Sequence, residues 1–156
     1  QFGVFGGTGT VSDSLFVNGN ARGVQLDVSD GAILRANNLT ISGHFNERGL
    51  LASAIGTGQL SVHNTISVNN QTNAQLNAGV TEGNNLFVDD PDLFVNALIG
   101  DYRLAPGASA IDAGDNAPPG GLGPLDLNGQ ARIFGPAVDL GAFEADDLVF
   151  EDGFEV

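Results

Sequence analysis

Gly31-Ala32-Ile33-Leu34-Arg35-Ala36-Asn37-Asn38-Leu39-Thr40-Ile41-Ser42 has a counterpart further along the chain, Gly58-Gln59-Leu60-Ser61-Val62-His63-Asn64-Thr65-Ile66-Ser67-Val68-Asn69. Shifted by 27, from 31 to 58, Gly31 falls on Gly58, Ile33 on Leu60, Asn37 on Asn64, Leu39 on Ile66 and Ile41 on Val68. An earlier stretch, Gly9-Thr10-Val11-Ser12-Asp13-Ser14-Leu15-Phe16-Val17-Asn18, fits the same template with a shortened middle, and a weaker fourth copy ends in Asn84-Asn85-Leu86-Phe87-Val88. A period in the twenties, with several short strands per repeat, is the mark of a solenoid. One coil cannot bury its inward apolar face; stacked coils make a continuous core. A β-sandwich also yields short strands and turns, but it does not require an aligned repeat.

The runs between the repeats agree. Leu15-Phe16-Val17, Val24-Gln25-Leu26-Asp27-Val28, Leu60-Ser61-Val62 and Leu86-Phe87-Val88 are short, apolar and bounded by Gly, Asn or Asp, and they read as strands. No stretch holds apolar residues at helical spacing. The 23 glycines and the frequent Asn supply turns, because both tolerate positive φ. Asn37 above Asn64 is a candidate amide ladder; turn-forming Asn is the alternative.

From Asp89-Asp90-Pro91-Asp92 the pattern breaks, since Pro donates nothing to a strand ladder. The expected organisation is therefore coils over 1–88, a closing segment of the same domain over 89–145, and an acidic, strand-like tail over 146–156. That is an all-β parallel β-helix of three to four coils with an irregular acidic end.

Charge is uneven. The net charge is −14, with five Arg and no Lys. Residues 1–88 carry five acids and three Arg, a net −2, and residues 89–156 carry fourteen acids and two Arg, a net −12. Such a chain is repelled by phosphate backbones and anionic lipid, which argues against nucleic acid and a basic membrane-surface mode. No apolar run reaches the ~18 residues of a membrane span. The absence of Cys excludes disulfides, thiolate-bound zinc and thiol catalysis. Gln1 reads as a processed end or a fragment boundary.

The run Asp101-Tyr102-Arg103-Leu104-Ala105-Pro106-Gly107-Ala108-Ser109-Ala110-Ile111-Asp112-Ala113-Gly114 resembles the "DYRLxPGSPAIDAG" signature of bacterial secreted β-helix proteins of the choice-of-anchor Q type. Asp126-Leu127-Asn128-Gly129-Gln130-Ala131-Arg132 and Val138-Asp139-Leu140-Gly141-Ala142-Phe143-Glu144 are similar to the "DLDGNPR…VDIGAYE" ending of that family, and Val149-Phe150-Glu151-Asp152-Gly153-Phe154-Glu155 to an "IFxDGFE" tail. The sequence departs from the signature at Ala108, where Ser is usual, and at Ser109-Ala110, where Pro-Ala is usual. The chain is also short for the family, so it is a fragment or a small subunit. The resemblance implies a right-handed parallel β-helix, secreted or at the cell surface.

Candidate chemistry is sparse. His44 and His63 stand off the repeat register and read as surface or turn residues. There is no Gly-x-Ser-x-Gly elbow, and the Gly-rich Gly3-Val4-Phe5-Gly6-Gly7-Thr8-Gly9 is followed by no helix. Lyase-like β-helices need clustered acids beside a basic residue; here the repeats hold only Asp13, Asp27, Asp30, Glu47 and Glu82, and no Lys. No enzyme is expected. No cofactor is assigned either. Ca²⁺ is the one candidate left open, on Asp89, Asp90 and Asp92 or on Asp112 and Asp115, against a turn-capping role for the same acids. Arg103 and Arg132 are expected to pair with some of these acids.

The functional expectation is architectural. Solenoid ends that lack caps pair with other chains. Phe2, Val4 and Phe5 at one end, and Leu148, Phe150 and Phe154 in the tail, are the residues expected to join copies head to tail. The partner is then the chain itself, in an extracellular fibre or surface assembly. An adhesin that binds surface polysaccharide is the alternative, and a polysaccharide lyase or hydrolase a second.

Overall fold

The computed structural model describes residues 2–145. Nine strands build the coils: β1 (Phe2–Val4), β2 (Thr8–Val17), β3 (Val24–Ser29), β4 (Ile33–Ser42), β5 (Arg48–Ile55), β6 (Gln59–His63), β7 (Ile66–Val68), β8 (Thr72–Leu76) and β9 (Val80–Gly83). They form two parallel sheets, in the orders β1-β3-β5-β8 and β2-β4-β6-β9, with β7 also on β4. Every return to a sheet lands beside the previous strand in parallel register, so the chain is a parallel β-helix of four rungs and not a sandwich. Phe2 faces Leu26, Val24 faces Leu50 and Leu60 faces Val80, so a rung takes 20 to 26 residues.

Each coil has three sides because each contains left-handed corners. The central one falls at Asp13, Asn38, Asn64 and Asn84, with φ of 47°, 56°, 53° and 51°. Non-Gly residues in this region are mostly Asn or Asp, whose short polar side chains bond locally. The corner resets the alternation of the strand. In β4, Leu34 and Ala36 face inward before it, and Leu39 and Ile41 after it. With Val24, Leu26, Val28, Leu50, Ala52, Leu60 and Val62 they fill the first core.

The register corrects the offset of 27. Leu34 stands opposite Leu60, Asn37 opposite His63 and Thr40 opposite Ile66, a step of 26. β2 pairs with β4 residue for residue on either side of the corner, with no shortened middle. One residue of slip turns a side chain to the other face of a strand. Ile66 and Val68 therefore lie in line with Thr40 and Ser42 on the outward face, and Thr65 and Ser67 take the inward positions. No ladder links Asn37 to Asn64. Asn37 Nδ2 donates to the carbonyls of Pro119 and Gly121, and Asn64 Nδ2 to that of Asp115.

Those partners belong to the closing segment, which lies along the side of the coils. A hairpin of β10 (Phe94–Asn96) and β11 (Asp101–Leu104), joined through a 3₁₀ turn at Ala97–Ile99, begins it. Beyond the hairpin the chain is irregular, but it follows the corner column closely. Ala113 O accepts from Asn84, Asp115 O from Asn64, Asp139 O from Asn38, and Arg132 reaches Asp13. A second core forms beneath it, where Ile66 and Val68 meet Leu93, Phe94, Tyr102, Leu104, Ala110, Leu140, Ala142 and Phe143. Gly141, at φ 86°, permits a close approach: a Cβ there would sit 2.5 Å from Thr40 Oγ1.

Asn64 serves both the corner and the segment. Its Oδ1 accepts from Asp115 N at 2.8 Å, and its carbonyl from Gly141 N at 2.8 Å. Asn64→Gly keeps the left-handed backbone but removes two side-chain hydrogen bonds, and is expected to destabilise by roughly 1–3 kcal/mol. Asn64→Ala adds strain of about 1–2 kcal/mol. Chemical denaturation should rank wild type above Gly above Ala; Ala equal to Gly would mean that the left-handed corner carries no strain for an ordinary residue.

Candidate functional site

The end faces of the coil are where inner columns stop. In the column of Val28, buried at 2%, the first rung offers Val4; in that of Leu26, at 0%, it offers Phe2 at 42%. Val11 and Phe16 extend the columns of Ala36 and Ile41, and all but Phe2 are only partly covered. Phe2 lies edge-on to Phe16, with ring centroids 6.2 Å apart, while Phe5 is 83% exposed. Among the described residues, β1 and β2 have no strand on their outer side. Neither holds a Lys, Arg or Pro, the usual means of blocking an edge.

The fourth rung mirrors this with one difference. Ala74, Leu76 and Val80 extend the columns of Leu50, Ala52 and Leu60 and are partly covered. In the column of Val62, however, stands Glu82, which is exposed and contacts Asn85. A carboxylate in a core column opposes the stacking of another rung. Leu148, Phe150 and Phe154, the tail residues expected to join copies, lie outside the described residues. The closing segment through residue 145 runs beside the rungs and not across an end.

Four of the five calcium-candidate acids accept hydrogen bonds from N–H or O–H donors. Asp89 Oδ1 accepts from Asn69 N and Asn73 Nδ2, Asp90 from Asp92 N and Ser109 Oγ, Asp112 from Ala137 N, and Asp115 from Ala117 N. Among the described residues, no three His, Asp or Glu side chains lie close enough together to hold a metal ion. Arg103 pairs with Asp101 at 2.7 Å, and Arg132 with Glu144 and Asp13, so neither arginine pairs with the calcium-candidate acids as expected. His44 is buried, contrary to a surface role: Nδ1 lies 2.8 Å from Ala21 O in a corner between rungs. His63 is half-buried on the outward face. Burial lowers its pKa, against the pull of Asp115 and Glu82.

No family model, curated protein or solved structure matches the chain. Its chemistry is therefore read from its own residues. Among the described residues no helix is long and apolar enough to cross a membrane.

The densest polar cluster is one that sequence spacing did not reveal. Arg132, Asp126, Asp139 and Glu144 are all buried. Arg132 Nη2 donates to Glu144 Oε2 at 2.8 Å and Nη1 to Asp13 Oδ1 at 3.3 Å, a partner 119 positions away. Glu144 Oε1 accepts from Phe134 N, Asp139 from Asp112 N and Ala145 N, and Asp126 from Gln130 N and Glu144 N. Every acid is tied to backbone N–H groups. The cluster clamps the closing segment onto the first rung.

Burial pushes Glu144 up to about 7, against the N–H of Phe134 and the Arg132 charge that hold it down, while Asp139 adds to the rise. Asp139 is also raised, again by burial first. Between about 4.5 and about 7, folded Glu144 binds more proton than it does unfolded, so its contribution to stability falls as pH rises through that window. Thermal melts at pH 5 and pH 8 should show the loss, up to ~3 kcal/mol from this group. Glu144→Gln should flatten it. Equal pH slopes in the variant and wild type would refute the assignment.

Proposed function

We propose that this chain is a non-catalytic structural module of an extracellular bacterial assembly, and that copies join head to tail by stacking coil ends. The observation that carries this reading is the first rung, which no strand among the described residues covers. Its strand edges are unblocked, and its columns end in partly exposed Val4, Val11 and Phe16 with Phe2 and Phe5 beside them. The fourth rung supports it from the other side, because its strands run in the same direction and end free among the described residues. One copy placed on the next continues both parallel sheets at the ~4.8 Å strand spacing. A contact between two unlike faces does not close on itself and propagates as a fibre.

Charge is compatible with this. The coils carry a small part of the net charge, most of which resides beyond residue 88. The likeness of residues 101–144 to secreted bacterial β-helix proteins supports an extracellular setting. Glu82 acts as a brake, because a new first rung would bring Val11 onto it. It is the feature that separates this reading from a two-fold contact between first rungs.

Sedimentation velocity and negative-stain microscopy test the proposal. Wild-type protein should form end-to-end chains at high concentration. Val11→Glu, which would set a second carboxylate against Glu82 of the next copy, should leave monomers, and Glu82→Gln should lengthen the chains. Wild-type monomers at high concentration would count against the reading. So would assembly that stops at dimers and ignores the Glu82 substitution.

A further inference from the structure

A groove of about 440 Å³ lies on the outward face of β4, β6 and β9, in the size range of small-molecule sites. Across its floor Arg35 stands opposite Ser61 and Ser61 opposite Thr81, with Ile33 opposite Gln59 in the next row. Pro119 forms the wall. The loop that carries Pro119 is fixed, because Asn37 Nδ2 donates to the carbonyls of Pro119 at 3.0 Å and Gly121 at 3.3 Å. Gly120, at φ 91°, lets that loop close on the arginine: a Cβ there would lie 2.5 Å from Arg35 Cδ.

Two groups in this groove have no partner. Among the described residues the other four arginines each have a side-chain partner: Arg22 is hydrogen-bonded to Gln25, Arg48 is ion-paired with Glu47 at 3.8 Å, and Arg103 and Arg132 are bonded to Asp101 and Glu144. Among the described residues the Arg35 side chain makes no hydrogen bond or ion pair, in a chain where acids outnumber arginines by 19 to 5. It is also the one charged residue in the groove lining. Ser61 is 6% exposed, and its Oγ is buried without a hydrogen-bond partner. Buried hydroxyls are rarely left unpaired, and one that is calls for an explanation.

We propose that this groove binds a small hydroxylated monocarboxylate. Its carboxylate lies on the Arg35 guanidinium, whose planar fork matches two carboxylate oxygens. Its hydroxyls meet Ser61 Oγ and the amide of Gln59, and its carbon skeleton rests against Ile33 and Pro119. A single negative charge fits. An extended polyanion does not, because the closing segment that supplies the wall belongs to the strongly acidic part of the chain. The chemistry is shared by open-chain sugar acids and by ring-closed uronates.

Isothermal titration with gluconate, glucuronate and neutral glucose, at fixed ionic strength, tests the proposal and identifies the source. One or both acids should bind saturably at one site, with glucose weaker by on the order of tenfold. A preference for gluconate identifies an open-chain ligand, and one for glucuronate a ring. Arg35→Gln should weaken the acid on the order of tenfold or more, Arg35→Lys less, and Ser61→Ala severalfold. The Arg35 side chain makes no hydrogen bond or ion pair among the described residues, and Gln keeps part of its stem under the Gly120 loop, so the melting curve of Arg35→Gln should stay close to wild type and exclude unfolding as the cause. Failure of both acids to bind wild type, or equal binding to Arg35→Gln, would overturn it.

Discussion

A residue in the left-handed region resets the alternation of a strand, and on four successive rungs that residue is Asp13, Asn38, Asn64 or Asn84. Both cores follow from this. Before the corner, alternation aims Leu34, Ala36, Leu60 and Val62 inward; after it, Leu39 and Ile41 inward, and Ile66 and Val68 outward. The outward pair would be an exposed apolar stripe if nothing lay on it. The same Asn side chains that make the corner possible donate to the carbonyls of the segment that covers the stripe. Corner and cover are thus one device. Removing a corner amide loosens the turn and the lid over the second core together.

This explains how far the sequence could be read. The repeat exposes the solenoid, because an Asn falls on Asn64 at either shift, Asn38 at 26 and Asn37 at 27, while Leu34 falls on Leu60 and Ala36 on Val62 at 26 and Gly31 on Gly58 at 27. It does not expose the faces. Asn37 and Asn38 are adjacent, both are Asn, and the alignment at 27 chooses the wrong one as the corner. That choice places Ile66 and Val68 in the inner core. The telling signal was Thr65 and Ser67, polar residues in the third coil that make sense inside only because they bond backbone there, Thr65 to His63 O and Ser67 to Asn73 O. Strand pairing alone could have separated the two registers.

The closing segment was less legible for a different reason. Its motif-like residues were visible in the sequence, but their partners were not. Arg132 meets Asp13 across 119 positions, and Thr40 meets Ala142 N across 102. No period relates such pairs, since each is made once. The groove was hidden in the same way. Arg35 belongs to the repeat that decides the fold, yet its importance lies in the missing partner, which only packing reveals.

The acidity of the segment and its irregular backbone are linked. Three buried acids, Asp126, Asp139 and Glu144, surround one buried arginine, so ion pairing alone cannot satisfy them. A buried carboxylate needs several donors to remain tolerable. Here the donors are backbone N–H groups of Asp112, Gln130, Phe134, Asp139, Glu144 and Ala145. In a regular strand those N–H groups would be held by a ladder. Beyond its hairpin the segment leaves them free by forming no strand ladder among the described residues, and the carboxylates in turn fix an otherwise irregular path. A chain with Lys or Arg in place of these acids would carry no acceptors for the same N–H groups. The segment would then have to pair as strands or leave the second core.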